Sequence, residues 1–406
     1  MVVTSTICPS LQIGLRAFAV WPGVPYADVR RLIYVLSLVV IQYFQYLFIY
    51  VTFKYSQLQN LLDSIPSTMY YTLTAVKLIT LWKYDRVIRE ILATIESDWR
   101  ECVKVDQHLH IMTTKANISS FCAHGLLALN SIAGLLYFGG ENAIAIVHML
   151  KGNNVTSRPF PVRVVFPSAA EQSPVYELLV FILFLHGMST IIIVNVLSGV
   201  ILTLVFHACG QIEIICQQLK NMSEKMMNYG SPRFSTGMLV DRHNKVITFA
   251  ENVDKLFSFI ALIQVFGNTL VVCFLGLFLI TSHNKAGVGL FKSVFAYAGI
   301  TAEIFTFCFV GEYLSLKSRS LGDAGYETLW YNMAPSHCKD ILFIIMRSQK
   351  QLTMTAGGMM DLSLEAFTSV NHESVRVIYV RFECDVLTLF KTYRMTILAI
   401  NVISKG

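Results

Sequence analysis

Four blocks follow one another between residues 325 and 370 and set the character of the chain. They are Gly325-Tyr326-Glu327-Thr328-Leu329-Trp330-Tyr331, Ile341-Leu342-Phe343-Ile344-Ile345-Met346-Arg347-Ser348-Gln349-Lys350, Thr355-Ala356-Gly357-Gly358 and Leu362-Ser363-Leu364-Glu365-Ala366-Phe367-Thr368. The apolar run Ile341 to Met346 is far shorter than the roughly 20 residues a spanning helix needs, so it reads as a short helix packed against protein. The Gly357-Gly358 pair predicts a break. A second helix is expected to start near Asp361 to Ser363, with Asp361 or Ser363 as its cap and Glu365 facing the positive end of the dipole. A last helix broken in this way, half in protein and half in membrane, suits the assembly of subunits around a pathway. Trp330, Tyr331, Arg347 and Gln349 are the candidate assembly residues.

Working outward, the composition points to lipid. Of 406 residues, 54% are hydrophobic and only 14% charged, and the mean hydropathy is +0.55. Soluble domains carry about 25% charged residues; here the apolar residues gather in long runs, the mark of a polytopic membrane protein. The net charge of +6 comes from Lys and Arg spread through short loops. That spread argues for a topological role and against a nucleic-acid partner. The nine cysteines include no C-x-x-C pair and lie mostly in apolar runs, so neither a metal site nor a disulfide framework is expected. The N-terminal residues lack the apolar core of a signal peptide.

The predicted organisation is a cytoplasmic segment (1–30), four membrane helices (31–206) with an outer loop at 139–174, and a cytoplasmic helical region (207–255). Two further spans (256–316), an anchor loop and short helix (317–360), and a last helix (361–406) complete it. Leu11 to Tyr26 reads as a short amphipathic segment ending in a Trp-Pro-Gly turn. The spans are expected at Arg31 to Phe53, Ile65 to Trp82, Ile118 to Phe138, Val175 to Phe206, Leu256 to Ile280 and Leu290 to Leu316. The fourth is too long for a straight crossing, so it must tilt or continue into the cytoplasm. Lys77 in the second span is costly in lipid and must face protein or water, in an ion pair within the bundle or by snorkelling. Glu303 and Glu312 in the sixth span demand a partner that the sequence does not name.

Basic residues orient the bundle. With the N-terminus inside, inner segments outnumber outer ones in Lys and Arg by roughly three to one. Asn154-Val155-Thr156 then falls outside, making Asn154 the candidate glycosylation site. The fold class is therefore all-α, with seven transmembrane helices, an intracellular N-terminus and a last helix split between cytoplasm and membrane. The charged stretch 371–389 interrupts that last helix and reads as an insertion.

No catalytic constellation is present: no H-E-x-x-H, P-loop, nucleophile elbow or G-x-G-x-x-G after a strand. An enzyme is not expected, and neither is a cofactor. Asp85-Arg86-Val87 invites comparison with the Asp-Arg-Tyr of G-protein-coupled receptors, but it follows the second span and the orientation is reversed. A secondary transporter predicts an internal repeat of spans, and none is found. Near the outer ends of the spans lie Met69, Tyr70, Tyr137, Tyr176, Phe184, Phe291 and Phe295. These are the residue types that line an apolar small-molecule cavity, although each alone also suits an interfacial belt or core packing.

Trp330-Tyr331, Met346-Arg347-Ser348-Gln349-Lys350, Thr355-Ala356-Gly357 and Leu362-Ser363-Leu364-Glu365 together resemble the C-terminal signature of insect odorant receptors. Gly14-Leu15-Arg16 and Trp21-Pro22-Gly23 extend the likeness to the N-terminus, in the manner of hymenopteran-type, ligand-specific subunits. Gln351 and Asp361 depart from the pattern, standing where the family commonly has proline. The resemblance implies a plasma-membrane cation channel gated by a small volatile odorant and formed as a hetero-tetramer with a shared co-receptor, surrounded by lipid. It places the chain in the dendrite of an olfactory neuron. It also implies ligand binding in the outer half of the bundle and a pore lined by the last helix, where Thr396 and Ile400, four apart on one face, are the expected pore residues. A gustatory receptor of the same superfamily is the alternative; the length of the signature from Trp330 to Phe367 argues against it.

Overall fold

The computed structural model describes residues 5–150, 160–167, 170, 172–229, 236–281 and 288–369. Nine α-helices are described: α1 (Pro9–Ala17), α2 (Ala27–Lys54), α3 (Leu58–Lys83), α4 (Asp85–Cys102), α5 (Asp106–Leu150), α6 (Val175–Tyr229), α7 (Gly237–Thr281), α8 (Val288–Tyr326) and α9 (Pro335–Ser348). A two-stranded hairpin, β1 (Thr355–Ala356) and β2 (Met360–Asp361), follows α9, and a helical turn begins at 364. Thr396, Ile400, Asn154 and the stretch 371–389 lie outside the described residues.

Helices α2, α5, α6, α7 and α8 are each long and apolar enough to cross a membrane. α3 is the remaining span, and its sequence explains its lower hydropathy. Ser64, Ser67, Thr68, Thr72, Thr74 and Thr80 return their hydroxyls to carbonyls three or four residues earlier. A helix so equipped satisfies its own polar side chains within the bilayer. It is packed between α2 and α7, which shields Lys77. The helix starts at Leu58 and runs through Pro66, ahead of the expected start at Ile65.

The long helices run past the expected ends of the spans. α6 is one element from Val175 to Tyr229, so the helix of the fourth span continues well beyond Phe206, and α7 carries the region after Gly237 straight into the fifth span. α5 continues to Leu150, past residue 139 where the outer loop was expected to begin. The largest buried core gathers α1, α4, α9 and the inner ends of α5 to α8. α4 shows why it joins them: Val87, Ile88, Ile91, Ile95, Trp99 and Cys102 are buried at helical spacing. Its other face carries the (i, i+4) pairs Arg89–Asp85, Arg86–Glu90 and Arg100–Glu96.

Buried polar contacts lock this inner core. Thr6 Oγ1 lies 2.8 Å from His207 Nδ1 on α6 and accepts from Trp99 Nε1 at 2.7 Å, while His207 Nε2 lies 3.0 Å from Asp98 Oδ2. This network pins the N-terminal residues between α4 and α6. On α6, Glu213 takes Lys115 of α5 at 2.7 Å and Lys317 of α8 at 3.4 Å. Glu101 of α4 pairs with Arg242 and Lys245 of α7. Burial pushes its carboxyl upward in pKa, but Lys245 and Arg242 more than offset this and hold it below its ordinary value.

The region after α9 differs from the expected helix break. Gly357 and Gly358 both have positive φ, 63° and 66°, a conformation glycine adopts without the Cβ penalty. They form the hairpin turn, closed by Met359 N–H donating to Ala356 O at 3.1 Å. The helix has already ended at Ser348. Asp254 of α7 holds the hairpin, accepting from Thr355 N–H at 2.6 Å and from its hydroxyl at 3.1 Å. Ser363 caps the helical turn that follows, its Oγ accepting from Ala366 N–H at 3.0 Å, whereas Asp361 belongs to β2.

Candidate functional site

In the outer half, the two smaller buried clusters leave a cavity of about 90 Å³ between them. Its walls come from α3 (Pro66, Ser67, Tyr70, Tyr71), α5 (Asn130, Ala133, Gly134, Tyr137, Phe138), α6 (Ile191), α7 (Val271, Leu275) and α8 (Phe295, Ala296, Gly299, Ile300, Glu303). A water-sized group occupies roughly 10–15 Å³ on this measure, so there is room for about six to nine of them. The wall is mainly aromatic and aliphatic with a few polar groups, the usual make-up of a site for a small neutral molecule. Gly134 makes room for α6: a Cβ built there meets Ile191 Cδ1 at 2.2 Å. Above the cavity, Lys292 sits 4.4 Å from the ring centroid of Tyr137, a cation–π contact that ties α8 to α5.

The polar floor is organised on Glu303, whose side chain is 4% exposed. It accepts from Tyr70 Oη at 2.7 Å on Oε1, and from Gln264 Nε2 at 2.6 Å and Asn268 Nδ2 at 3.2 Å on Oε2. Lys77, 2% exposed, places Nζ 3.9 Å from Oε2. The partner that neither Glu303 nor Lys77 announced in the sequence is therefore the other, joined across α3 and α8 with α7 completing the set. Glu312 takes a different part, accepting at 3.4 Å from Leu364 N–H in the last described turn.

Of the expected ligand-binding residues, Tyr70, Tyr137 and Phe295 line the cavity. Met69 packs beside it against the cluster of Val271 and Ile304. Phe184 packs in the cluster around Tyr71 and Phe138, and Tyr176 packs tilted on Phe160 with centroids 5.1 Å apart; neither is among the residues that line the wall. The Phe291 side chain lies outside the described residues. Sequence reasoning did not single out Tyr71, Asn130, Phe138 or Ser67 as wall residues. For Tyr71, Phe138 and Ser67 the signal was adjacency, since each lies within three residues of Tyr70 or Tyr137 on the same helix. Asn130 carried a polar side chain inside a span, and it pairs with Asn195 of α6 at 2.7 Å.

The candidate assembly residues lie on and around α9, at the end of the bundle that holds the largest buried core. Trp330 is partly buried against the inner core. Tyr331 and Gln349 are exposed, and Arg347 donates to Lys350 O at 3.0 Å. Beside them α9 turns Leu342, Phe343 and Met346 outward, with Phe343 64% exposed.

A model of the family described as 7tm Odorant receptor matches residues 57–374. Among curated proteins, the chain is 26% identical to Odorant receptor 22c of Drosophila melanogaster over 48% of this chain and 50% of that receptor. It is 21% identical to Odorant receptor 10 of Aedes albopictus over 90% and 95%. Among solved structures, the insect olfactory receptor OR5 of Machilis hrabei in complex with eugenol superposes with a TM-score of 0.74 at 17% identity. That match covers 91% of this chain and 96% of the other. A second structure of the same receptor gives a TM-score of 0.75 at 16% identity, and both likenesses bear on the fold.

Proposed function

The chain belongs to the 7tm odorant receptor family, and from that premise we propose that it is the odorant-binding subunit of a heteromeric, ligand-gated cation channel in the plasma membrane of an olfactory neuron. The observation that carries this reading is the cavity among α3, α5, α6, α7 and α8, sized for one small volatile molecule. Tyr70, Tyr137 and Phe295 form its contact wall; Met69, Phe184 and Tyr176 act from behind that wall or above it. The ligand favours the open bundle only to the extent that it binds that state better.

The partner is a co-receptor in a hetero-tetramer, and α9 supplies the surface. Leu342, Phe343 and Met346 face outward beside Tyr331 and Gln349, and an exposed apolar patch of this kind marks an interaction site. Trp330 and Arg347 brace that surface from behind. The pore is assigned to the last helix, with Thr396 and Ile400 toward the ion path, and Asn154 to outer glycosylation. The chain acts as a channel subunit rather than as an enzyme.

Whole-cell recording during exposure to an odorant panel tests the reading, with the chain expressed alone and with an insect co-receptor. Fast inward cation current only in the co-expressing cells is expected. Equal current from the chain alone would overturn the heteromeric assignment.

A further inference from the structure

Around Glu303, on the polar side of the cavity, the surplus lies with acceptors. An ionised carboxylate offers about four lone-pair sites; Glu303 has three filled by Tyr70, Gln264 and Asn268. Oε1 carries only the Tyr70 bond, so the open site is on the oxygen beside Tyr70, and both residues line the cavity. Asn268 Oδ1, fully buried next to Glu303, has no partner among the described residues. Its amide cannot be turned over to cure this, because Nδ2 is already given to the carboxylate. The hydroxyls at hand are spent: Tyr70 donates to Glu303 and Ser67 to Ser64 O.

The geometry points to a ligand of one chemical class: a small neutral alcohol or phenol whose hydroxyl donates to Glu303 Oε1 beside Tyr70. This deepens the odorant-receptor reading and rests on it. A hydroxyl is the neutral group that gives one proton to the spare acceptor. An ether or ketone of the same skeleton brings only acceptors to a surplus of acceptors. A carboxylate brings a second negative charge against Glu303 in a low-dielectric wall, where like charges repel strongly. Lys77, the compensating cation, is not part of the wall. Leaving a buried polar group unpaired is the form of discrimination with the largest ratios, so the preference belongs to Glu303 rather than to the apolar wall.

The test uses matched triplets (alcohol, methyl ether and carboxylate) on straight, branched and aromatic skeletons of about six to nine heavy groups, the size set above. Two readouts are taken: thermal stabilisation of the purified full chain, and inward current in cells that also express an insect co-receptor. Alcohols are expected to act at concentrations at least about tenfold below their ethers, the least that a hydrogen bond to a charged acceptor supplies, with carboxylates inert. In the charge-neutral double variant Lys77→Met/Glu303→Gln the alcohol-to-ether ratio should fall to a few-fold. In Tyr70→Phe, which frees Oε1 further, it should persist. Ethers equal to alcohols, potent carboxylates, an unchanged ratio in the double variant, or no stabilisation by any alcohol would each overturn the inference. Stabilisation by alcohols without current in any cell would leave it standing and would instead overturn the channel reading.

Discussion

Replacing Lys77 by methionine isolates the contribution of the buried pair beneath the cavity. Nζ and Oε2 are 3.9 Å apart with both side chains almost fully buried, so at an effective dielectric near 20 their attraction is about 4 kcal/mol. Methionine preserves most of the volume of the lysine stem and removes only the charge. Glu303 would keep its bonds to Tyr70, Gln264 and Asn268 but lose its counter-charge. Breaking a buried pair from one side typically costs about 3–5 kcal/mol, because the remaining charge is stranded. A loss of that size is a large share of the stability of any folded domain, so Lys77→Met should be retained inside the cell and should inactivate at lower temperature after purification. Adding Glu303→Gln should recover part of both losses, since an amide carries no charge and its oxygen still accepts from Tyr70, although its NH2 then faces the amides of Gln264 and Asn268. The assay is a double-mutant cycle read by surface labelling and by thermal inactivation in detergent. Parent-like behaviour of Lys77→Met, or a double variant no better than the single one, would refute the pairing.

Three further outcomes follow from the inner half. Asp254→Ala removes the acceptor of both Thr355 donors and should cost about 2–3 kcal/mol, loosening the hairpin enough to raise its backbone exchange without disturbing exchange in α5. Gly311→Ala sets a Cβ 2.2 Å from the backbone oxygen of Leu362; because a backbone atom cannot swing aside, α8 and the start of the last helix must separate, and ligand-evoked current should be lost while the chain still reaches the surface. Thr6→Val strands Trp99 Nε1 and His207 Nδ1 in the core and should destabilise by about 1–3 kcal/mol, read as a lower inactivation temperature; Thr6→Ser should be close to neutral.

What was legible in the sequence was whatever local physics controls. Runs of apolar residues announced the spans. The charge bias of the loops gave the orientation. The length of Val175 to Phe206 already required that α6 leave the bilayer. The site was legible in part. Tyr70 and Tyr137 were visible as aromatic residues near outer helix ends, but the same rule also selected Tyr176 and Phe184. These lie at similar depth and turn toward a different cluster, because the outer ends of the helices offer more than one apolar face and periodicity does not say which one closes a cavity. Lys77 and Glu303 were each visible as an expense in lipid. Their union was not, because it depends on how α3 and α8 are brought together through α7, and no spacing rule reaches across such a separation. The hairpin was misjudged for a related reason: two glycines end a helix and turn a hairpin equally well, and Asp254, which holds the hairpin, lies on another element.

The most direct test of the central claim is the structure of the chain with its co-receptor and an activating odorant bound. The account predicts ligand density between α3, α5 and α8, in contact with Tyr70, Tyr137 and Phe295 and within hydrogen-bond distance of Glu303. Density seated instead against Phe184 and Tyr176, with the cavity between Tyr70 and Phe295 unfilled, would contradict it.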